Sequence, residues 1–292
     1  FNLQYNSYLE LKKFRKCVIM EVFVSDLDGT LLNKNKEISD YSKRELNKLI
    51  EKGINFTVAT ARTPATVVDI LDGINIKIPV ILMNGVLIYD ISKQEYIKVN
   101  KLERPVVNKV LDILKNHNKS CFLYGIKDNH ISVYHKEFVN NPEEDFYNER
   151  CEKKLKTFVK VEDYYAVLEN IEVINFVLFD DYEKIKAIYD ELKLIEGLYV
   201  DYYKDIYGDG YYLDAYSSEA SKANGIKELS KYVNSDKLIT FGDNVNDIPM
   251  FKISDECYSV ENGADALKNI ATKVIESNEK DGVVKFISKY AL

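Results

Sequence analysis

The sequence predicts an α/β fold: a doubly wound parallel-sheet core, built from both ends of the chain around an inserted α+β segment. Three observations carry this. Between Glu21 and Asn84, short apolar runs alternate with helical patterns, a βαβαβ rhythm that indicates parallel strands. The same rhythm returns after Ser217. Between the two lies a stretch of different texture, rich in tyrosine and lysine and in hairpin-like pairs.

Val22-Phe23-Val24 is a short apolar run of the buried-strand type and stops at Ser25-Asp26. A helix follows, with Ser39 as N-cap, Tyr41, Leu46, Leu49 and Ile50 as its apolar face, and Gly53 as its stop. Ile54 to Ala59 reads as the second strand, ending at Thr60. Thr63-Pro64 starts another helix, because proline at the first helical position costs no hydrogen bond. Val80 to Met83 reads as a third strand of the core, ending at Asn84-Gly85.

In the middle segment, Cys121 to Tyr124 and Ile131 to Tyr134 flank Lys127-Asp128-Asn129 as a hairpin. Val173 to Phe179 leads into a helix starting near Asp181, and Leu198 to Tyr203 and Tyr211 to Leu213 read as further strands of an open antiparallel sheet. Lys222 then precedes a helix through Leu229. Leu238 to Phe241 is a strand closed by Gly242-Asp243, and Cys257 to Val260 and Lys273 to Ile275 complete the sheet. The expected division is a core from residues 20–85 and 215–292, an insertion from 86–214, and an extension, residues 1–19, that stands outside the fold.

The 292 residues are enough for two ordinary domains, and 46% hydrophobic with 30% charged residues is ordinary for a globular chain. A net charge of -7 argues against nucleic acid as a partner, because phosphate backbones select basic surfaces. No apolar run reaches the roughly 20 residues needed to cross a bilayer, so the expectation is a cytoplasmic protein with no membrane partner. Cys17, Cys121, Cys151 and Cys257 form no CxxC pair, which speaks against zinc or a disulfide framework. The three histidines, His117, His130 and His135, stand far from the acidic motifs, and His130 and His135 read as surface residues of the hairpin.

Each core strand ends on a residue capable of chemistry: Asp26, Thr60, Asn84 and Asp243. In an open parallel sheet the binding crevice lies at the carboxyl ends of the strands, so these segments converge. Asp26, Asp28, Asp243 and Asp247 would then share one crevice. Two unit charges about 4 Å apart repel by roughly 4 kcal/mol at an effective dielectric near 20. Such a cluster needs a cation or protons, and oxygen ligands suit Mg²⁺ shared with a phosphate. Lys222 supplies positive charge for a phosphate oxygen, while Thr60 and the amides near Gly29 can donate to the others. A carboxylate can attack phosphorus, and a second acid two residues on can move the proton. Gly29 permits the tight turn this requires.

Taken singly, these signals are weak. A lone Asp-x-Asp beside glycine is common in turns, Lys222 alone is an ordinary solvated lysine, and Thr60 alone is a helix-preceding cap. Their joint occurrence, in order and each at a strand end, is what carries the reading.

Asp26-Leu27-Asp28-Gly29-Thr30, then Thr60, then Lys222, then Gly242-Asp243-Asn244-Val245-Asn246-Asp247 resemble the four motifs of the haloacid dehalogenase superfamily. More narrowly, with Thr60-Ala61-Arg62, Asn84-Gly85, Asn278 and Asp281-Gly282-Val283, the chain resembles the Cof-type phosphatases. The resemblance runs from Met20 onward and implies a Rossmann-like core with an inserted α+β cap domain. It implies Asp26 as nucleophile and metal ligand, and Asp28 as general acid and base whose backbone carbonyl reaches the metal. It further implies Asp243 as a direct metal ligand and Asp247 as support of the metal shell. Thr60 and Lys222 would hold the phosphate, Asn246 would orient the site, and Arg62, Asn84 and Gly85 would contact substrate. Two departures stand out: Ala61 where relatives often carry glycine, and a glycine inside Glu261-Asn262-Gly263-Ala264, which leaves that loop's contacts open.

The expected function is Mg²⁺-dependent hydrolysis of a small phosphorylated metabolite, a sugar phosphate or a phosphorylated cofactor, through an aspartyl phosphate. The expected state is a monomer or weak homodimer. A mutase that passes the phosphoryl group to a second hydroxyl, and a non-enzymatic phospho-aspartate receiver, are the alternatives. Receivers are about half this length and leave Asp28 without a role. The tyrosines 202, 203, 207, 211 and 212 either line the substrate pocket or pack as ordinary strand residues.

Overall fold

The computed structural model describes residues 20–204 and 210–291; the extension ahead of Met20, Cys17 and Tyr207 lie outside them. Among the described residues, fourteen strands form three sheets. β1 (Glu21–Ser25) and β2 (Asn55–Val58) are parallel neighbours, and β1 pairs on its other side with the late strand Lys237–Gly242, numbered β12 below. β3 (Val80–Leu82), β4 (Leu87–Asp90) and β5 (Glu95–Val99) form a separate antiparallel sheet. β6 (Phe122–Lys127), β7 (His130–His135), β8 (Lys156–Lys160), β9 (Glu172–Asp180), β10 (Leu198–Lys204) and β11 (Tyr211–Ser217) form a six-stranded sheet in the order β10-β11-β9-β6-β7-β8. β12, β13 (Glu256–Val260) and β14 (Lys273–Ile275) complete the parallel sheet, ordered β14-β13-β12-β1-β2.

The helices are α1 (Asp40–Glu51), α2 (Pro64–Ile70), α3 (Arg104–Asn116), α4 (Asn141–Asn148), α5 (Tyr182–Leu192), α6 (Lys222–Val233), α7 (Ile248–Phe251), α8 (Asp265–Lys268) and α9 (Gly282–Tyr290). α1 starts where Ser39 accepts from the Ser42 amide at 3.0 Å, and it buries Leu46, Leu49 and Ile50. That spacing of three and four residues is one face of a helix, as the sequence reading expects. Along β1, Phe23 joins the cluster that contains α1 and α9, whereas Val22 and Val24 join Ile226 and Leu229 of α6. Alternate side chains leave opposite faces of a strand, so this split is the physical form of a sheet covered on both sides.

The third core strand keeps the expected parallel direction and also begins a second sheet. β3 meets the parallel sheet through one parallel bridge, Ala59 to Ile81, and pairs antiparallel with β4 on its other side. The cause is local: Met83, Asn84 and Gly85 all take positive φ (50°, 53° and 90°), which turns the chain straight back. Residues 87–99 therefore form a sheet with β3 before the chain enters the six-stranded sheet.

The hairpin β6-β7 forms as its sequence indicates, with Asp128 and Asn129 both left-handed (φ 48° and 62°), the backbone of a two-residue primed turn. His135 corrects the surface reading: it is buried, its ring stacked on Phe138 at 4.8 Å and near Tyr147 at 5.2 Å. His130 is exposed and lies 2.9 Å from the Thr157 hydroxyl. The two stand five residues apart on one strand, so their side chains leave opposite faces. The sequence reading does not single out β8 or α3; β8 carries a lysine at each end around Thr157-Phe158-Val159 and lies parallel to β7.

Candidate active site

Asp26 follows the last residue of β1, its amide donating to Phe241 of β12 at 2.9 Å, so the central strand pair aims its carboxylate at the carboxyl edge of the sheet. Asp243 and Asp247 leave the end of β12 on a short turn. Asp247 Oδ2 accepts from the amides of Asp243 (3.1 Å) and Asn244 (3.2 Å), which closes the turn and points the other oxygen inward. Asp26, Asp243 and Asp247 each present a carboxylate oxygen within 4.8 Å of the others. Lys222, the first residue of α6, reaches into this group: its Nζ bonds Asp26 Oδ1 and lies 2.7 Å from Asp247 Oδ1. All three partners of this bridge are buried.

Two glycines shape the site. Gly29 has φ 79°, and a Cβ there would stand 2.4 Å from Asp243 Oδ2. Gly85 has φ 90°, and a Cβ there would meet the Ser221 carbonyl oxygen at 2.2 Å. Ser221 is the N-cap of α6, so the tight Asn84-Gly85 turn lets the Lys222 helix dock.

Burial pushes the Asp26 carboxyl up to about 7; Lys222 opposes that shift, while Asp247 and Asp243 add to it. Asp243 is likewise raised by burial, with Thr30, which donates to it at 3.0 Å, working in the other direction. Burial works against the Lys222 ammonium, yet Asp26 and Asp247 outweigh it and hold the lysine above its ordinary value. Three carboxylates against one ammonium leave negative charge unbalanced. The donor set, hard oxygens only, fits a hard divalent cation such as Mg²⁺.

Asp28 stands apart from this cluster. Its carboxylate is exposed and held by both arms of Arg62, Nε to Oδ2 at 2.7 Å and Nη2 to Oδ1 at 2.6 Å. Thr60 is buried at the end of the second strand's path, its hydroxyl accepting from the Arg62 amide at 3.2 Å. Asn84 is half-buried on the β3–β4 turn, its amide bonded to the Thr60 carbonyl at 2.9 Å, and its side chain meets the Tyr216 hydroxyl of β11. Asn246 is exposed on the turn between Asp243 and Asp247.

Sequence reasoning passed over two supports. Thr30 anchors Asp243, and Asn262 donates to the Gly29 carbonyl at 2.8 Å while its Oδ1 accepts from the Asn278 amide at 3.1 Å. The loop with the extra glycine thus braces the Asp28-Gly29 turn. Its asparagine was visible in the sequence, but its partner, a backbone carbonyl 233 residues away, was not.

A cavity of about 650 Å³ lies between Ala61, Arg62, Thr63 and Met83 on one side and the six-stranded sheet on the other. That sheet has two unlike faces. Leu123, Phe176, Leu178 and Leu213 pack on Val107, Val110 and Leu111 of α3 and on Ile185 and Ile188 of α5. Tyr124, Asn175, Phe179, Tyr212 and Asp214 line the cavity from the opposite face. Burial raises the Asp214 carboxyl to about 7, against hydrogen bonds from Asn175 and Tyr212.

A parallel α/β core with acids and a buried lysine at its carboxyl edge, facing a second sheet, is an arrangement suited to holding a divalent cation and a phosphate group. The model of the haloacid dehalogenase-like hydrolase family matches residues 23–287, and the chain belongs to that family. Two curated relatives from Bacillus subtilis (strain 168) are named 5-amino-6-(5-phospho-D-ribitylamino)uracil phosphatase. One is 26% identical over 270 residues, covering 91% of this chain and 95% of its own length. The other is 25% identical over 289 residues, covering 92% and 98%. A solved haloacid dehalogenase-like hydrolase from Bacteroides thetaiotaomicron shares the fold with a TM-score of 0.73 at 21% identity, covering 92% of this chain and 99% of that one. The chain is an enzyme, a Cof-type phosphatase that hydrolyses phosphoric monoester bonds. No helix among the described residues is long and apolar enough to cross a membrane.

Proposed function

We propose that this phosphatase is Mg²⁺-dependent, works through an aspartyl phosphate on Asp26, and acts on a small phosphorylated metabolite admitted beneath the six-stranded sheet, which serves as its cap. The observation that carries the reading is the Lys222 bridge between Asp26 and Asp247. It puts a fixed positive charge beside a nucleophile that burial alone would disfavour as an anion.

Asp26, Asp243 and Asp247 would hold Mg²⁺, and the charge neutralisation it supplies when bound complements that of Lys222. In this mechanism Asp26 attacks phosphorus while the bond to the leaving oxygen breaks. Asp28 gives that oxygen a proton, then takes one from the water that attacks the aspartyl phosphate, and phosphate departs with Asp26 restored. Lys222 and Thr60 hold the phosphoryl oxygens. Arg62 occupies both oxygens of Asp28 in the free protein, so substrate entry must exchange this ion pair for contacts with the ester. Asn84 and Gly85 form the substrate-side turn, and Asn246 orients the metal loop.

The test is release of inorganic phosphate from a panel of phosphorylated metabolites, including the ribitylamino-uracil phosphate of the relatives, with and without Mg²⁺. Asp26→Asn should lose several orders of magnitude, and Asp28→Asn should retain binding with poor turnover. Equal turnover by Asp26→Asn refutes the mechanism. Free phosphate as the product, in place of an isomeric sugar phosphate, separates hydrolysis from mutase chemistry.

A further inference from the structure

Three lysines are buried among the described residues: Lys119, Lys156 and Lys222. Burying an ammonium costs several kcal/mol unless an anion compensates it. Two of the three are compensated. Lys119 meets Glu143 at 2.7 Å, Asp180 at 3.0 Å and the Phe179 carbonyl at 2.6 Å. Lys222 is held by Asp26 and Asp247.

Lys156 differs. It is 7% exposed, lines the cavity under the six-stranded sheet, and pairs with no carboxylate among the described residues. Its Nζ has aromatic company only, 5.3 Å from the Phe158 ring centre and 6.0 Å from that of Tyr124. Burial foremost lowers its pKa to about 8, and its charged neighbours, Arg150 and Lys153, are cationic and act in the same direction. Arg150 is itself engaged, paired with Glu149 at 2.6 Å and lying 4.3 Å over Phe146. The acids Asp145 and Asp214 line the same cavity, yet neither comes within ion-pair distance of Lys156. A cation kept dry and unpaired in the wall of a substrate cavity is a charge waiting for its counterion.

We propose that Lys156 receives a second anionic group of the substrate, so that the preferred ester carries a carboxylate or a second phosphate on its leaving group. This rests on the phosphatase reading above and deepens it. The phosphate under attack faces Lys222 at the core, and the far anion faces Lys156 on the cap. Arg150 adds to the positive field at that end, and Tyr124 and Phe158 exclude water around it. A neutral leaving group would leave Lys156 uncompensated in the bound state, which makes charge on the leaving group a criterion of selection.

The test compares kcat/KM for alkyl phosphates of graded length with two matched series, one ending in a carboxylate and one in a second phosphate. At the length that spans the cavity, the anionic-ended ester should be preferred at least about tenfold over its methyl-ended analogue. Lys156→Met should collapse that preference through KM, and Lys156→Arg should keep most of it. The two anionic series separate a carboxylate from a phosphate as the group received. An enzyme that releases phosphate from these esters but ignores the charged end at every length overturns this proposal alone. So does a preference that persists in Lys156→Met. No release from these esters and none from any metabolite of the wider panel overturns the phosphatase reading along with it.

Discussion

Arg62 grips both oxygens of the Asp28 carboxylate, at 2.7 and 2.6 Å, across 34 residues of sequence. The acid proposed to move the proton is therefore restrained by the residue proposed to meet the substrate. Asp28 is half exposed, so the pair contributes about 0–1 kcal/mol to stability and its value lies in positioning. Arg62→Ala should lower kcat/KM by about tenfold or more while moving the melting temperature little. A large loss of stability with unchanged kinetics would contradict this.

Lys222→Met removes the single cation from a buried pair of acids. Breaking a buried ion pair by deleting one partner costs about 3–5 kcal/mol. Urea denaturation in metal-free buffer should show a loss of that order, alongside loss of turnover. An unchanged midpoint would mean the bridge is not formed in solution.

Asp26→Asn also removes one partner of the Lys222 bridge, so its signature is read in the pH dependence of stability, alongside loss of turnover. Burial raises the Asp26 carboxyl from 3.8 to about 7, so the folded state holds its proton more tightly than the unfolded chain does. Stability from that group is complete below about 4 and is lost as pH rises through about 7. The variant has no such loss. Relative to the wild type, its melting temperature should climb between pH 5 and pH 8 without divalent cation, although it is inactive. A constant difference across that range would refute the assignment.

Mg²⁺ should stabilise the wild type, because a ligand bound only by the folded state adds about 2.7 kcal/mol at a hundredfold excess over Kd. Thermal melting with and without Mg²⁺ reads this directly. Asp243→Asn should lose most of the shift, since one of three converging carboxylates is gone. An equal shift in that variant would place the ion elsewhere.

Lys156 carries the reverse pH signature. Burial holds it at about 8 in the folded state against 10.5 in the unfolded chain, so between those values the unfolded chain binds more protons. Stability from this group rises with pH across that window. Lys156→Met should lack the rise, as melting curves from pH 7.5 to 10.5 would reveal.

Gly85→Ala tests how the site is assembled. The added methyl would meet the Ser221 carbonyl at 2.2 Å with φ at 90°, so α6 must move and carry Lys222 with it. Turnover should fall by about tenfold or more, since small misplacements near the reacting groups are costly. Wild-type turnover would show that the turn yields instead of the helix.

Much of the fold was legible because its signals are local. Ser39 before the Leu46, Leu49 and Ile50 face, Pro64 after Thr63, and Asp128-Asn129 between two apolar runs each declare an element through its own backbone chemistry. β3 runs parallel to the core as its place in the βαβαβ rhythm indicates, but its antiparallel pairing with β4 was not legible, because the left-handed path of Met83 that turns the chain back is not written in that residue type. His135 was misread because only the aromatic partners around it, several from distant segments, make it a core residue.

By itself the sequence determined which residues end the core strands, and with that the convergence of Asp26, Lys222, Asp243 and Asp247. A parallel sheet has one carboxyl edge, so strand order is enough to bring such residues together. Only the tertiary structure decided what each charge is paired with. Arg62 was free to meet many acids and took Asp28; Lys119 and Lys222 found carboxylates; Lys156, equally ordinary in sequence, did not. Pairing depends on distances of a few ångströms between segments far apart in the chain, and burial then multiplies its energetic weight.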